Sequence, residues 1–156
     1  MAVPFGFSAG DFIAALKVVK DVIDALRDSG VAGAEYRELI DELYLLETAL
    51  LEVKRVELDD EQHAQRVALQ QAASQCHRTI DEFWKKIQKY QPHLRSEGSG
   101  SKLKDGWRKV QWALCRKEDV AMFRAKLRGE TGSINVLLMT VHMYVTDGEV
   151  ASRCRY

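Results

Sequence analysis

Apolar residues recur every three or four positions along most of this chain, which is the spacing of one face of an α-helix. Such stripes occupy residues 12–26, 36–53, 69–90, 103–114 and 120–144. The second stripe is widened by further apolar residues, so we expect that helix to contact more than one neighbour. The sequence shows no sustained alternation of apolar and polar residues bounded by hairpin turns, the pattern of a β-strand. The chain is therefore predicted to be all-α.

Turn and cap residues set the ends of the predicted helices. Ser8 can cap the first helix, and the Asp-Ser-Gly sequence at 28–30 ends it. Pro92 ends the third helix, because proline lacks the amide hydrogen that a helix needs. In the last stripe Glu130 takes an inward position between Gly129 and Gly132, so we expect a kink or short break there.

These elements predict an antiparallel bundle of four long helices plus one short helix. With 156 residues the chain has the length of one domain. We assign residues 1–145 to the bundle, with a flexible Gly- and Ser-rich loop at about 95–102. Residues 146–156 lose the pattern and are expected to fray.

Motifs for catalysis and for metal or cofactor binding are missing from the sequence. There is no GxxxxGK[ST] or GxGxxG loop, no CxxC and no HxxxH, and the four histidines are scattered. Three cysteines without paired spacing, and no cleavable signal peptide, favour a reducing cytosolic setting. We therefore expect no catalytic residues, no metal and no cofactor.

The charges are divided unevenly along the chain although they cancel overall. Residues 1–60 hold 6 Lys or Arg and 13 Asp or Glu, whereas residues 61–156 hold 17 and 10. The balance excludes a uniformly basic nucleic-acid binder but leaves room for a basic face. We expect the acidic first two helices to pair with the basic remainder.

The N-terminus is rich in phenylalanine and nearly uncharged before Lys17. It can pack on the first helical turn as a plug of the bundle, or it can leave the bundle and insert its apolar face in a bilayer. Sequence physics alone favours the plug. The candidate membrane-inserting residues are Val3, Phe5, Phe7, Phe12, Ile13 and Leu16.

Basic residues concentrate between positions 78 and 128, a segment that contains 14 Lys or Arg and 6 Asp or Glu. Most simply they are solvated faces that pair with the acidic helices; otherwise they can attract anionic lipid. The candidate lipid-facing residues are Lys85, Lys86, Lys89, Lys102, Lys104, Arg108 and Lys109. The three tryptophans of this region fit inward positions, and we see no nucleic-acid recognition motif, so nucleic acid is not expected as a partner.

Several blocks of the sequence together resemble a known family. They are FGFSAGDFI (5–13), EYRELIDEL (35–43), LLEVK (50–54), GWRKVQWAL (106–114), KEDV (117–120), FRAKL (123–127) and SINVLL (133–138). Over residues 5–141 they resemble the N-terminal helical domain, of the HeLo-like group, of fungal NLR-like (STAND, NACHT-type) proteins. No nucleotide-binding module follows, so we expect an excised domain or a short stand-alone form.

The resemblance implies a non-enzymatic effector domain in fungal non-self recognition, heterokaryon incompatibility and regulated cell death. Such a domain would act by oligomerisation and by membrane targeting through its Phe-rich N-terminus, from the cytoplasm and with recruitment to the plasma membrane. Its expected partners are other copies of itself and anionic lipid. The alternative is a soluble helical adaptor or oligomerisation module that binds other helical domains without touching membrane.

Overall fold

The computed structural model describes residues 9–96 and 103–153, with side chains described at 12–95 and 106–143. Within these ranges the chain forms five α-helices and no β-strand. The helices are α1 (Ala9–Asp28), α2 (Ala34–Arg55), α3 (His63–Tyr90), α4 (Leu103–Arg108) and α5 (Lys117–Arg153), and short 3-10 turns occupy Asp60–Gln62, Pro92–Ser96 and Trp112–Leu114. The prediction of an all-α bundle with four long helices and one short helix is confirmed. The predicted loop at 95–102 falls mostly outside the described residues.

The ends of α1 and α3 lie where the turn residues were expected. Gly30 has a φ of 65°, a left-handed conformation that glycine adopts without strain. Ser29 closes the same turn, because its hydroxyl donates a 2.7 Å hydrogen bond to the carbonyl of Leu26. At the end of α3, Pro92 opens a 3-10 turn directly after Gln91, which caps the helix.

Each long helix packs against two others, and consecutive long helices run in opposite directions. In α2 and α5, Glu38 contacts Arg124 and, one turn further along both helices, Glu42 contacts Arg128, so these two neighbours run parallel. Helix α3 runs antiparallel to α5, with Glu82 against Lys126. The bundle thus places the acidic α2 directly beside Arg124 and Arg128 of α5.

The core consists of the apolar stripes that the sequence predicted. Fully buried side chains at helical spacing come from every long helix; they include Val19, Val22, Leu26, Leu39, Leu43, Leu46, Leu50, Ile80, Ile87, Val120, Leu127 and Ile134. Aromatic rings fill one end, where Phe83 stacks on Phe123 at 4.2 Å and Trp84 meets Trp107 at 4.7 Å between ring centroids. Trp112 is 2% exposed, and all three tryptophans are therefore core residues, as predicted.

The predicted break near Gly129 is wrong, because α5 continues from Lys117 to Arg153. Gly129 and Gly132 lie on the solvent side, where an added Cβ would meet no atom within 4 Å. The backbone hydrogen bonds of an existing helix can continue through such positions at a cost of about 1 kcal/mol per glycine. The same helix includes residues 146–153, where the sequence predicted fraying.

Candidate interaction surfaces

The candidate membrane-inserting residues do not share one exposed face. Val3, Phe5 and Phe7 lie outside the described residues. Phe12 is 5% exposed and belongs to the core, and Leu16 packs partly buried against it. Ile13 is 54% exposed. From Phe12 onward the start of α1 is therefore part of the bundle.

Undocking the whole of α1 would be energetically expensive. Its large buried side chains are Phe12, Val19, Val22, Ile23 and Leu26. At about 1.5–3 kcal/mol for each large apolar side chain, their exposure to water costs on the order of 10 kcal/mol. Such a cost equals the whole stability of a typical domain, about 5–15 kcal/mol. Release of an N-terminal segment from the folded bundle must therefore stop near Phe12.

The candidate lipid-facing cations are partly neutralised within the bundle. Lys85 contacts Asp81 at 2.9 Å, and Arg108 lies 3.8 Å from Asp28. The Nζ atom of Lys86 lies 3.1 Å from the sulfur of Met122. The remaining described members, Lys89 and Lys109, are exposed, whereas Lys102 and the side chain of Lys104 fall outside the description. Of the described members, Lys85 and Arg108 thus contact acids of the same chain, which neutralises part of the predicted basic surface.

Ion pairs join the acidic and basic halves of the chain, as the charge division predicted. Helix α2 contributes Glu35, Glu38 and Glu42, which contact Lys117, Arg124 and Arg128 of α5. Most of these charges are exposed, where a single pair contributes about 0–1 kcal/mol. Arg124 and Glu42 differ, since their side chains are only 18% and 12% exposed. Removing Glu38, the partner of Arg124, would leave a largely buried guanidinium group without its ion pair.

A polar cluster is buried between α3 and α5. The hydroxyl of Thr79 donates a hydrogen bond to the carboxylate of Glu130, and the Cys76 thiol lies beside it. Burial raises the pKa of Glu130 above the ordinary carboxyl value. Burial also raises the pKa of the Cys76 thiol, with a further contribution from the charge of Glu130. A thiol held protonated is a poor nucleophile, and the hydrogen bond between Thr79 and Glu130 joins α3 to α5.

A second polar group fixes the segment between α4 and α5. The buried amide side chain of Gln91 donates to the carbonyl of Gln111 at 3.1 Å and accepts from its amide at 2.9 Å. The Tyr36 hydroxyl donates to the carbonyl of Trp112. Burial raises the pKa of Tyr36 and of Tyr90 to about 12 each. Both hydroxyls therefore stay protonated and act as hydrogen-bond donors.

One stripe on the outer side of α5, opposite the core, is formed by uncharged residues for about six turns. We call this surface the outer seam; its members are Ala121, Ala125, Gly129, Gly132, Val136, Met139 and Met143, and all are exposed. Val136, Met139 and Met143 are 62%, 64% and 65% exposed. From Ala125 onward the spacing alternates four and three, as in the contact positions of a coiled coil. The seam has no strong apolar signal in the sequence, because four of its seven members are Ala or Gly.

Polar groups beside the outer seam already have partners in the same chain. The hydroxyls of Ser133 and Thr140 donate to the carbonyls of Gly129 and Val136 at 3.0 Å each. Arg128 at the edge contacts Glu42 at 2.8 Å. Covering the seam would therefore leave these polar groups hydrogen-bonded, which keeps the desolvation cost low.

Among the helices that the structure describes, none is both long enough and apolar enough to cross a bilayer. The family model described as "Pigment biosynthesis cluster protein PigL N-terminal" matches residues 11–153. No curated protein and no solved structure matches the chain significantly. The match agrees with the expectation of a fungal helical N-terminal domain.

Proposed function

The chain belongs to the family of PigL N-terminal domains, and on that premise we propose that it is a non-enzymatic interaction domain that signals by associating with other helical bundles. The observation that carries this proposal is the outer seam of α5. Monomeric proteins rarely leave a long uncharged apolar stripe in water, and such stripes mark contact surfaces. The resemblance to fungal NLR-like proteins supports a place as the output module of an immune-type receptor.

Forced clustering in yeast tests this proposal. The full chain is fused to a domain that dimerises on addition of a small inducer, so that clustering does not depend on the chain's own contacts. We expect growth arrest only when the inducer is present. A fusion carrying Leu43→Asp, which places a charge at a fully buried position, should not arrest growth because its bundle is unfolded. Unchanged growth of the clustered wild-type fusion would contradict the proposal.

Membrane targeting is a second candidate, favoured by the uncharged Phe-rich residues before Lys17 and by the exposed cations Lys89 and Lys109. In this mechanism association concentrates the N-terminal segments, which then insert in an anionic membrane. The energetics of α1 restrict the inserting part to the residues before Phe12.

Co-sedimentation of the induced fusion with vesicles tests the second candidate. Vesicles with a phosphatidylserine fraction of about 0.3 have a negative surface potential. They should bind the clustered wild-type fusion more strongly than neutral vesicles do. Phe5→Asp should abolish binding, and Ile13→Ala should leave it intact. Binding that survives Phe5→Asp would exclude insertion by the N-terminus, and absence of binding would leave the soluble adaptor.

A further inference from the structure

We propose that the outer seam of α5 binds the same seam of a second copy, antiparallel and around a two-fold axis that passes Gly132. This pairing rests on the proposed function, for which it supplies the contact surface. The partner is a second copy of this chain because the two halves of the seam are complementary to each other in side-chain size.

Side-chain size provides the first argument. The seam begins with small residues, Ala121 and Ala125, and ends with large ones, Met139 and Met143. With Gly132 opposite its own copy, antiparallel pairing sets Ala125 against Met139 and Ala121 against Met143. Each methionine then meets an alanine, as ridges meet grooves in helix packing.

A parallel pair would not have this fit. Met139 would face Met139 and Met143 would face Met143, while the alanines at the other end would face each other across a gap. The helices would be forced apart at one end and underpacked at the other. Antiparallel pairing also aligns the helix dipoles favourably. Size and dipole therefore select the same orientation.

Charge provides the second argument. Two identical surfaces repel each other when each carries net charge, and the outer seam carries none over residues 121–143. The neighbouring cations Arg124, Lys126 and Arg128 contact glutamates of their own chain. The surface is thus neutral without help from a partner, whereas a specific foreign partner is usually selected by complementary charge.

The length of the seam sets the expected strength. Residues 121–143 span about 33 Å along the helix axis. The register of α2 and α5 places the exposed Leu45 beside the seam, and Met122 adds to the other edge. A standard interface uses about 20–30 residues on each side, so this smaller contact predicts a weak dimer, with a dissociation constant on the order of 10–100 µM. Such a dimer would strengthen when a receptor clusters its N-terminal domains.

Sedimentation equilibrium of the full chain with a size exchange tests the pairing. Ala125→Met sets methionine against Met139, and Met139→Ala leaves a gap; each should weaken the dimer about tenfold. The double variant restores one large and one small residue at each contact and should return to within about threefold of wild type. All positions are exposed, and unchanged circular dichroism will confirm folding. A double variant weaker than both single variants, or single variants equal to wild type, would overturn the pairing.

Disulfide mapping separates this inference from the proposed function. In a Cys154→Ser background, Ala125→Cys and Met139→Cys chains should cross-link when mixed and not when each is alone. Cross-linking of each alone, or a wild type that stays monomeric up to about 0.5 mM, would overturn the antiparallel pair. The induced clustering in yeast bypasses the chain's own contacts, so its result decides the proposed function independently.

Discussion

Replacing Phe12 by alanine tests directly whether the start of α1 belongs to the folded core. Only 5% of Phe12 is exposed, and its ring packs in the main apolar cluster. Truncation of a buried phenylalanine to alanine costs about 3–5 kcal/mol. Phe12 lies near the start of α1, where the backbone can partly relax. We therefore expect a loss at the lower end of that range, about 3 kcal/mol.

Urea unfolding followed by circular dichroism measures the loss. With a denaturant slope of about 2 kcal/mol per molar, the midpoint should fall by about 1.5 M. Ile13→Ala is the matched control, since Ile13 is 54% exposed and its truncation should change stability by less than about 0.5 kcal/mol. If Phe12→Ala costs no more than Ile13→Ala, the start of α1 is not held by the core, and the limit placed on membrane insertion is wrong.

Three further predictions have defined outcomes. Gly132→Ala should raise the stability of the monomer by about 0.5–1 kcal/mol. Gly106→Ala should lower it by about 1–3 kcal/mol, because the added Cβ would lie 2.9 Å from the indole of Trp84. Thermal melting in dilute solution measures both variants, and equal shifts in melting temperature would contradict the packing. Burial raises the pKa of Glu130 from 4.5, so wild-type stability should fall as pH rises from 4.5 through the folded-state pKa. Glu130→Gln should gain stability relative to wild type across that window. Parallel pH profiles of stability for the two proteins would contradict a raised pKa of Glu130. Glu38→Gln should lower the free energy of unfolding by about 1–2 kcal/mol, because Arg124 stays largely buried without its ion pair. Glu52 is exposed, so Glu52→Gln should lower it by less than about 0.3 kcal/mol. Urea titrations at low salt measure both values.

The helices were predictable because each long helix buries a repeating apolar stripe, and this burial offsets the conformational entropy that the chain loses on folding. The stripe through Leu39, Leu43, Leu46 and Leu50 is visible in the sequence, and the same residues are fully buried. Helix ends were also predictable where one residue dictates backbone geometry, as Pro92 does after α3. Local rules were sufficient for these features because they depend on neighbours in the sequence.

Features that depend on distant residues were not predictable from the pattern. The pattern predicts the inward position of Glu130, but its partners Cys76 and Thr79 lie more than 50 residues away and carry no matching signal. The local pattern predicts a break at Gly129 and Gly132, but their position on the solvent face lets α5 continue. The pattern also does not reveal the outer seam, because exposed Ala and Gly residues resemble an ordinary hydrated helix surface.

Sedimentation equilibrium of wild type, Gly132→Glu and Gln71→Glu tests the central claim most directly. Gly132→Glu places two carboxylates at the proposed two-fold axis without a clash inside the monomer, whereas Gln71→Glu adds the same charge on the exposed side of α3. We predict that Gly132→Glu weakens self-association by about thirtyfold or more and that Gln71→Glu leaves it unchanged. Dimers of equal strength in all three proteins would contradict the account.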